Sequence, residues 1–318
     1  MSAYVMEYHC FHEMLLVNVS INCQKKANRM PKAKELPPPS RITKGKADNR
    51  LKGQWSFDMD VKSLKGELAI VTGADSGIGQ AIAIAFAKEG ADVILTYRSD
   101  KEGAEHTAAQ IETAGRKAAI FQLDQRESQS VRNLFQQVQD NLGTPTILVN
   151  NAGTNGGNKP VKDMSDEDWD DTIRTNLYGP FYCCREFIKS LEGSGRHGNI
   201  INITSVHQEI PNAGKAGYDA SKGGLRNLTT TLALELAEKN INVNNIAPGM
   251  VLTPMNQKAI NDPRHYEKQV QAIPMKRAAQ PEEIAHAAVF LASKKAHYIH
   301  GTTITVDGAL TLFMGQGA

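Results

Sequence analysis

Short apolar runs alternate with helix-length segments along most of this 318-residue chain, and that alternation constrains the fold more than any other feature. Leu68–Val71, Val93–Leu95, Ala119–Phe121, Ile147–Val149, Ile200–Ile203, Val243–Ile246 and Thr303–Val306 read as strands. Between them lie segments such as Gln80–Glu89, Ala104–Ala114 and Ser128–Asn141. The first ends at Gly90, a residue suited to the left-handed turn after a helix. Strands separated by helices make βαβ units, which require a parallel sheet covered on both faces. The expected fold is therefore α/β: a single doubly wound parallel sheet with helices on both faces.

A turn rich in glycine follows the first strand and opens the first helix: Thr72-Gly73-Ala74-Asp75-Ser76-Gly77-Ile78-Gly79. Glycines at this place let the backbone turn sharply and approach a pyrophosphate, which rests on helix N–H groups. The turn thus nominates Gly73, Asp75, Ser76, Gly77, Ile78 and Gly79 for a dinucleotide. An NAD-selective site places a carboxylate at the end of the second strand to accept the ribose 2′-hydroxyl. This chain has Thr96-Tyr97-Arg98-Ser99 there and no acid until Asp100. Arg98, with Ser99, can face a 2′-phosphate instead, so NADP is the preferred cofactor and NAD is tolerated. The plainer reading makes Arg98 a solvated surface cation. Asp124 ends the third strand, as an acceptor for the adenine amine or as a helix N-cap. Asn150-Asn151-Ala152-Gly153 ends the fourth, beside the cofactor, because ligands gather at the carboxyl ends of parallel strands.

Two Tyr-x-x-x-Lys pairs occur, Tyr97…Lys101 and Tyr218…Lys222. The first sits just after a strand and reads as accidental. The second opens a helical segment, Tyr218 to Lys239, where positions i and i+4 share a face. Ser205, at the end of the fifth strand, lies thirteen residues earlier. This trio suits oxidation of an alcohol or its reverse, with Tyr218 taking the hydroxyl proton as hydride leaves for a nicotinamide. A free phenol titrates near ~10, and bringing it to ~7 needs about 4 kcal/mol, a task assigned to the Lys222 ammonium. Ser205 positions the reacting oxygen and Asn176 carries a water relay; alternatively they are a strand-end hydroxyl and a helix-kink residue. The polar loop residues Asn155 and His207 are candidates for the substrate, a small molecule such as a sugar.

Composition narrows the partners. The chain has 36 Lys+Arg against 34 Asp+Glu, of which ten basic and five acidic residues fall within 1–58. The remaining 260 residues hold 26 basic and 29 acidic side chains, no footprint for nucleic acid. The longest apolar run, Ala81–Ala87, is far short of the ~18 residues a membrane helix needs, so no membrane partner is expected. Cys10, Cys23, Cys183 and Cys184 have neither a disulfide framework nor zinc-site spacing, which suits a cytoplasmic protein without a metal. Residues 1–58, basic and interrupted by Pro31 and Pro37–Pro39, are expected to be a disordered tail or to follow a mis-called start, with Met59 opening a domain over 59–318.

These motifs in this order resemble the short-chain dehydrogenase/reductase family from residue 63 to about 313. The resemblance rests on Thr72-Gly73-x3-Gly77-x-Gly79, Asp124, Asn150-Asn151-Ala152-Gly153, Asn176, Ser205, Tyr218-x3-Lys222, Pro248-Gly249 and Thr253. It implies a seven-stranded Rossmann-type sheet, a catalytic tetrad of Asn176, Ser205, Tyr218 and Lys222, and a homotetramer. It further implies that Lys222 holds the nicotinamide ribose and that Pro248, Gly249 and Thr253 meet the carboxamide end. Ser205-Val206-His207-Gln208-Glu209-Ile210-Pro211 and the ending Gly308-Ala309-Leu310-Thr311-Leu312 are similar to the glucose 1-dehydrogenases of bacteria. Three alternatives follow: a sugar dehydrogenase, a reductase of 3-oxoacyl thioesters or small carbonyl compounds, and an inactive nucleotide-sensing protein. The chain departs from the family pattern at Gln125, Asn155, Asp219 and Asn242.

Overall fold

Seven parallel strands form one sheet in the order β3-β2-β1-β4-β5-β6-β7. They are β1 (Leu68–Val71), β2 (Asp92–Tyr97), β3 (Ala118–Gln122), β4 (Ile147–Asn150), β5 (Gly198–Ile203), β6 (Ile241–Pro248) and β7 (Thr303–Val306). The computed structural model describes residues 62–257 and 261–313, so the expected tail over 1–58 lies outside the described residues. The helices are α1 (Gly77–Lys88), α2 (Lys101–Thr113), α3 (Ser128–Asn141), α4 (Asp166–Ile173), α5 (Gly179–Leu191), α6 (Ala216–Leu236), α7 (Pro263–Val270) and α8 (Pro281–Ala292). Every expected strand is present, and β2 to β6 extend by one to four residues beyond the apolar runs that announce them. The helix α1 ends where Gly90 takes the left-handed conformation (φ 98°).

Both faces of the sheet are buried, which is why its strands read as nearly continuous apolar runs. Alternate residues sort between two cores. Ala69, Val71, Val93, Leu95, Ile147 and Val149 face α1, α2 and α8 around Phe86, Ile111 and Ile284. Ile70, Ile94, Leu148 and Ile200 face α3, α5 and α6 around Phe135, Phe187 and Leu232. Each such side chain contributes about 1.5–3 kcal/mol on leaving water. Cys183 and Cys184 are free, buried in the second core, where burial pushes both thiols well above their ordinary range.

A chain of buried side-chain hydrogen bonds crosses the second half of the sheet. Asn150 Nδ2 donates to Asn202 Oδ1 (2.8 Å), Asn202 Nδ2 to Thr229 Oγ1 (2.7 Å), Thr229 to Asn245 Oδ1 (2.6 Å) and Asn245 to Thr303 Oγ1 (3.1 Å). Thr229 belongs to α6, so the chain fixes that helix against β4 through β7. Asn202→Ala leaves two buried partners unmatched. Its unfolding free energy in urea should fall by about 2–4 kcal/mol, and a loss below ~0.5 kcal/mol would show that the chain carries no stability.

Candidate active site

A cleft of about 930 Å³ opens along the carboxyl ends of the strands. At one end, Gly73 and Gly77 adopt positive φ (60° and 55°), so the backbone doubles back over the start of α1. A side chain at Gly79 would fall on the Gly73 carbonyl and the Asn151 amide. Asn151 Nδ2 donates to the carbonyls of Thr72 (3.0 Å) and Gly73 (2.8 Å), and Thr72 Oγ1 accepts from the backbone N–H of Asn151 and Ala152 (3.0 Å each). Asn151 therefore pins the turn to β4 with its side chain and offers its position, not its amide, to a ligand. Ser76 is the N-cap of α1, yet its hydroxyl makes no cap bond and lies 3.4 Å from Asp75 Oδ2. The first-turn N–H groups are left open to the cleft, which suits a pyrophosphate. Thr253 closes the opposite wall, its Cγ2 being 3.1 Å from where a side chain on Gly77 would begin.

At the adenosine end, Arg98 and Ser99 are exposed on the rim. Asp124 does not cap α3, whose N-cap is Glu127. Its carboxylate receives Arg126, through Nε at 2.9 Å and Nη2 at 2.6 Å, and Arg126 also pairs with Asp171. Arg126 lowers the Asp124 carboxyl below its usual range, with a smaller pull from Arg98. Sequence reasoning missed Arg126, although the Asp-x-Arg spacing was there to read. Asp75 is pushed above the usual carboxylate range, chiefly by burial.

At the other end stand Ser205, Tyr218 and Lys222. Ser205 is buried where β5 leaves the sheet, and its Oγ accepts from His207 N at 3.1 Å. The start of α6 brings Tyr218 and Lys222 to the same wall, with Lys222 Nζ 5.6 Å from the phenol ring centre. Lys222 is buried, donates to Ile203 O at 2.8 Å, and is pushed down to about 8 by desolvation. Burial raises the Tyr218 phenol above its ordinary value, Ser205 hydrogen bonding opposes this, and Asp219 adds to it. The expected acidification by Lys222 is not among the influences on Tyr218 in the free chain, where loss of water disfavours the phenolate and the ammonium alike. The Tyr97…Lys101 pair has no such setting: Lys101 is spent on Glu105 at 3.0 Å.

Every residue predicted for cofactor or substrate lines the cleft except Gly79, and Asn176 also stands behind the wall. Asn176 is fully buried in a π-helical turn, Arg174–Tyr178. Its Oδ1 accepts from Thr154 N (2.9 Å), and its Nδ2 donates to Thr154 O (2.9 Å) and Ser221 Oγ (3.1 Å). Those bonds leave no side-chain proton for a relay; Asn176 kinks the helix and fixes the Thr154 loop. Gln125 was noted only as a departure, but it is buried and donates to Ala152 O (3.1 Å) and Thr175 O (2.7 Å), tying the fourth-strand loop to that π turn. Its residue type, polar where the core is apolar, was the available signal. His207 holds Ile210 O through Nδ1 (2.8 Å) and lines the substrate end with Asn155.

This fold and cleft define a nucleotide-dependent oxidoreductase of the Rossmann type. The model of the family described as enoyl-(acyl carrier protein) reductase matches residues 73–311, and the chain belongs to the short-chain dehydrogenases/reductases. It is 40% identical to glucose 1-dehydrogenase 2 of Bacillus subtilis over 80% of this chain and 98% of that protein. It is 43% identical to 3beta-hydroxysteroid dehydrogenase 1 of Eggerthella lenta over 79% of this chain and 96% of that one. Among solved structures, it is similar to an Agrobacterium tumefaciens protein assigned as a 2-deoxy-D-gluconate 3-dehydrogenase and solved with bound NADP. That likeness has a TM-score of 0.73 and 35% identity, over 80% of this chain and 99% of the other. The chain is an NAD(P)-dependent oxidoreductase acting on alcohol or keto groups.

The burial of Lys222 has a measurable consequence. Its proton leaves near pH 8 in the folded chain and near 10.5 when the chain is unfolded. Between those values the unfolded chain binds the extra proton, so this residue's contribution to stability grows with pH. The urea unfolding free energy of the native chain, relative to Lys222→Met, should rise by up to roughly 3 kcal/mol from about pH 7.5 to 10.5. A flat difference would mean that the ammonium keeps its water.

Proposed function

We propose that the chain is an NADP-preferring dehydrogenase, tolerant of NAD, that oxidises a secondary alcohol or sugar hydroxyl in the manner of a glucose 1-dehydrogenase. The observation that carries this reading is the common wall of Ser205, Tyr218 and Lys222 in a cleft whose far end is the glycine turn. The nicotinamide, when bound, supplies the hydride chemistry. The backbone N–H groups of Gly77 and Ile78, with Ser76, hold the pyrophosphate; Pro248, Gly249 and Thr253 form the wall for the carboxamide end; and Lys222 reaches the ribose. Ser205 accepts a backbone N–H and hydrogen-bonds the Tyr218 phenol, so its hydroxyl stands beside the base to receive the substrate oxygen. Tyr218, as the phenolate, takes the hydroxyl proton and becomes the phenol, and Lys222, steadied on Ile203 O, favours the phenolate that acts as base. Asn176 is a positioning member of the tetrad.

Asn155, His207 and Asn256 give the substrate end a polar lining suited to a polyol. Two of the three relatives are named for sugars or sugar acids, which supports that class. A 37% identity to a 3-oxoacyl-[acyl-carrier-protein] reductase of Staphylococcus epidermidis favours a second reading, reduction of a 3-oxoacyl thioester or small carbonyl compound by the same residues. The completeness of the tetrad speaks against a purely nucleotide-sensing role. We further propose a cytoplasmic homotetramer. Tyr178 and Phe181 near the start of α5 and Phe290 on α8 are exposed apolar surface for another copy. Among the described residues, no helix is long and apolar enough to cross a membrane.

The test is turnover of aldoses and other polyols with NADP, followed at the nicotinamide absorbance, against reduction of acetoacetyl thioesters. Tyr218→Phe should cut kcat by about a thousandfold or more while NADP affinity stays within about threefold; retained turnover would remove Tyr218 as the base. Arg98→Asp should lower kcat/KM with NADP by at least tenfold and shift preference toward NAD, through loss of a cation opposite the 2′-phosphate. Native preference for NAD would overturn the cofactor assignment.

A further inference from the structure

The two ends of the cleft differ in charge. The carboxylates among its described lining residues, Asp75 and Asp124, stand at the adenosine end, where Arg98 and Arg126 balance them. The substrate end is lined by the cations Lys215 and Lys222 and by no carboxylate among the described residues. The nearby acids are turned elsewhere: Glu209 is 3.5 Å from Arg226, and Asp219 Oδ2 accepts from Asn212 N at 2.8 Å.

Lys215 occupies the N-cap of α6, where the helix ends in unpaired N–H groups and a cation is disfavoured. It is partly buried, and burial lowers its pKa while Asp219 opposes the shift. Its ammonium donates to the carbonyls of Asn155 (3.3 Å) and Gly157, which uses two of its three protons and fixes where the third can go. Beside it, Asn155 accepts Gly157 N through Oδ1 at 3.2 Å and retains its amide hydrogens. A partly desolvated cation with one proton to spare and an adjacent amide donor make a monodentate receptor for an anion. A neutral polyol would leave that charge with only the Coulombic pull of Asp219 opposite it.

We infer that the substrate is a sugar acid, a polyhydroxy carboxylate whose anionic end is received by Lys215 and Asn155 while a hydroxyl reaches Ser205 and Tyr218. This assignment rests on the proposed alcohol oxidation and names the class of molecule that enters the same site. Electrostatic attraction of this kind weakens with salt.

The experiment is calorimetric titration of the NADP-loaded chain with D-gluconate, D-glucose and D-glucose 6-phosphate as probes. It is run on the native chain, Lys215→Met and Lys215→Arg, with NADP affinity measured on each. The expected result is gluconate binding tighter than glucose, a ratio that falls at least tenfold in Lys215→Met and is largely restored in Lys215→Arg. Raising NaCl from about 50 to 300 mM should weaken gluconate binding and leave glucose unaffected. NADP affinity within threefold in all three chains shows that the fold is intact. Absent gluconate binding, or equal losses for gluconate and glucose in Lys215→Met, would overturn the assignment and leave Lys215 as a loop tie. Tighter binding of glucose 6-phosphate than of gluconate would likewise overturn the carboxylate class. Lys215-dependent gluconate binding without oxidation of any polyol would sink the proposed reaction while sustaining the anion site.

Discussion

The absence of a side chain at Gly79 is the constraint on which the cleft depends. The space a Cβ would fill is taken by the Gly73 carbonyl and the Asn151 amide, so β1, α1 and β4 meet at one point. That meeting sets the glycine turn against the strand whose end carries Ala152 and Gly153. From there the geometry passes to Gly153, where a Cβ would stand 3.1 Å from Asn176 Oδ1 and 3.8 Å from Lys222 Nζ. The glycine turn and the Ser205–Tyr218–Lys222 wall are therefore linked by closely packed backbone, with no room for a side chain at Gly79 and little at Gly153. Such a link leaves little slack, and slack of even 1 Å between reacting groups is costly in rate.

At the chemical end, the fold works against its own stability. A buried ammonium, a buried phenol and a π-helical turn at Asn176 are each less favourable than an apolar helix face. The structure surrounds them with partners that hold position: Ile203 O for Lys222, Thr154 and Ser221 for Asn176, Ala152 O and Thr175 O for Gln125. Desolvation favours the neutral phenol in the free chain. The same dryness magnifies every charge brought into the site.

The strands, their parallel arrangement and the glycine turn were legible in the sequence because each follows from a local rule: period-two burial, βαβ connection, positive φ. Ser205, Tyr218 and Lys222 were legible because a strand end and a helix start must converge at one sheet edge. What was hidden depends on partners distant along the chain. Asp124 looks like a free acceptor until Arg126, itself paired with Asp171, closes on it, and the Asn176 amide is spent on Thr154 and Ser221. Asn151 lines the cleft as expected of its place in the fold, but its amide serves the turn. The direction of the Tyr218 shift was likewise beyond reach, because desolvation is a property of the packed wall and Lys222 is visible in the sequence only as a charge.

The substrate end is built differently from the rest. Its loops, 154–160 and 205–215, are tied mainly through main-chain atoms: Lys159 N to Gly214 O (3.1 Å), Asn212 N to the Asp219 carboxylate (2.8 Å), and Lys215 to the carbonyls of Asn155 and Gly157. Side chains on these loops can change without disturbing the Ser205–Tyr218–Lys222 wall, which hangs from β5 and α6. This separation accounts for relatives named for a sugar, a steroid and a sugar acid sharing one frame at 35–43% identity. In this chain the charge that stands at the mouth is positive.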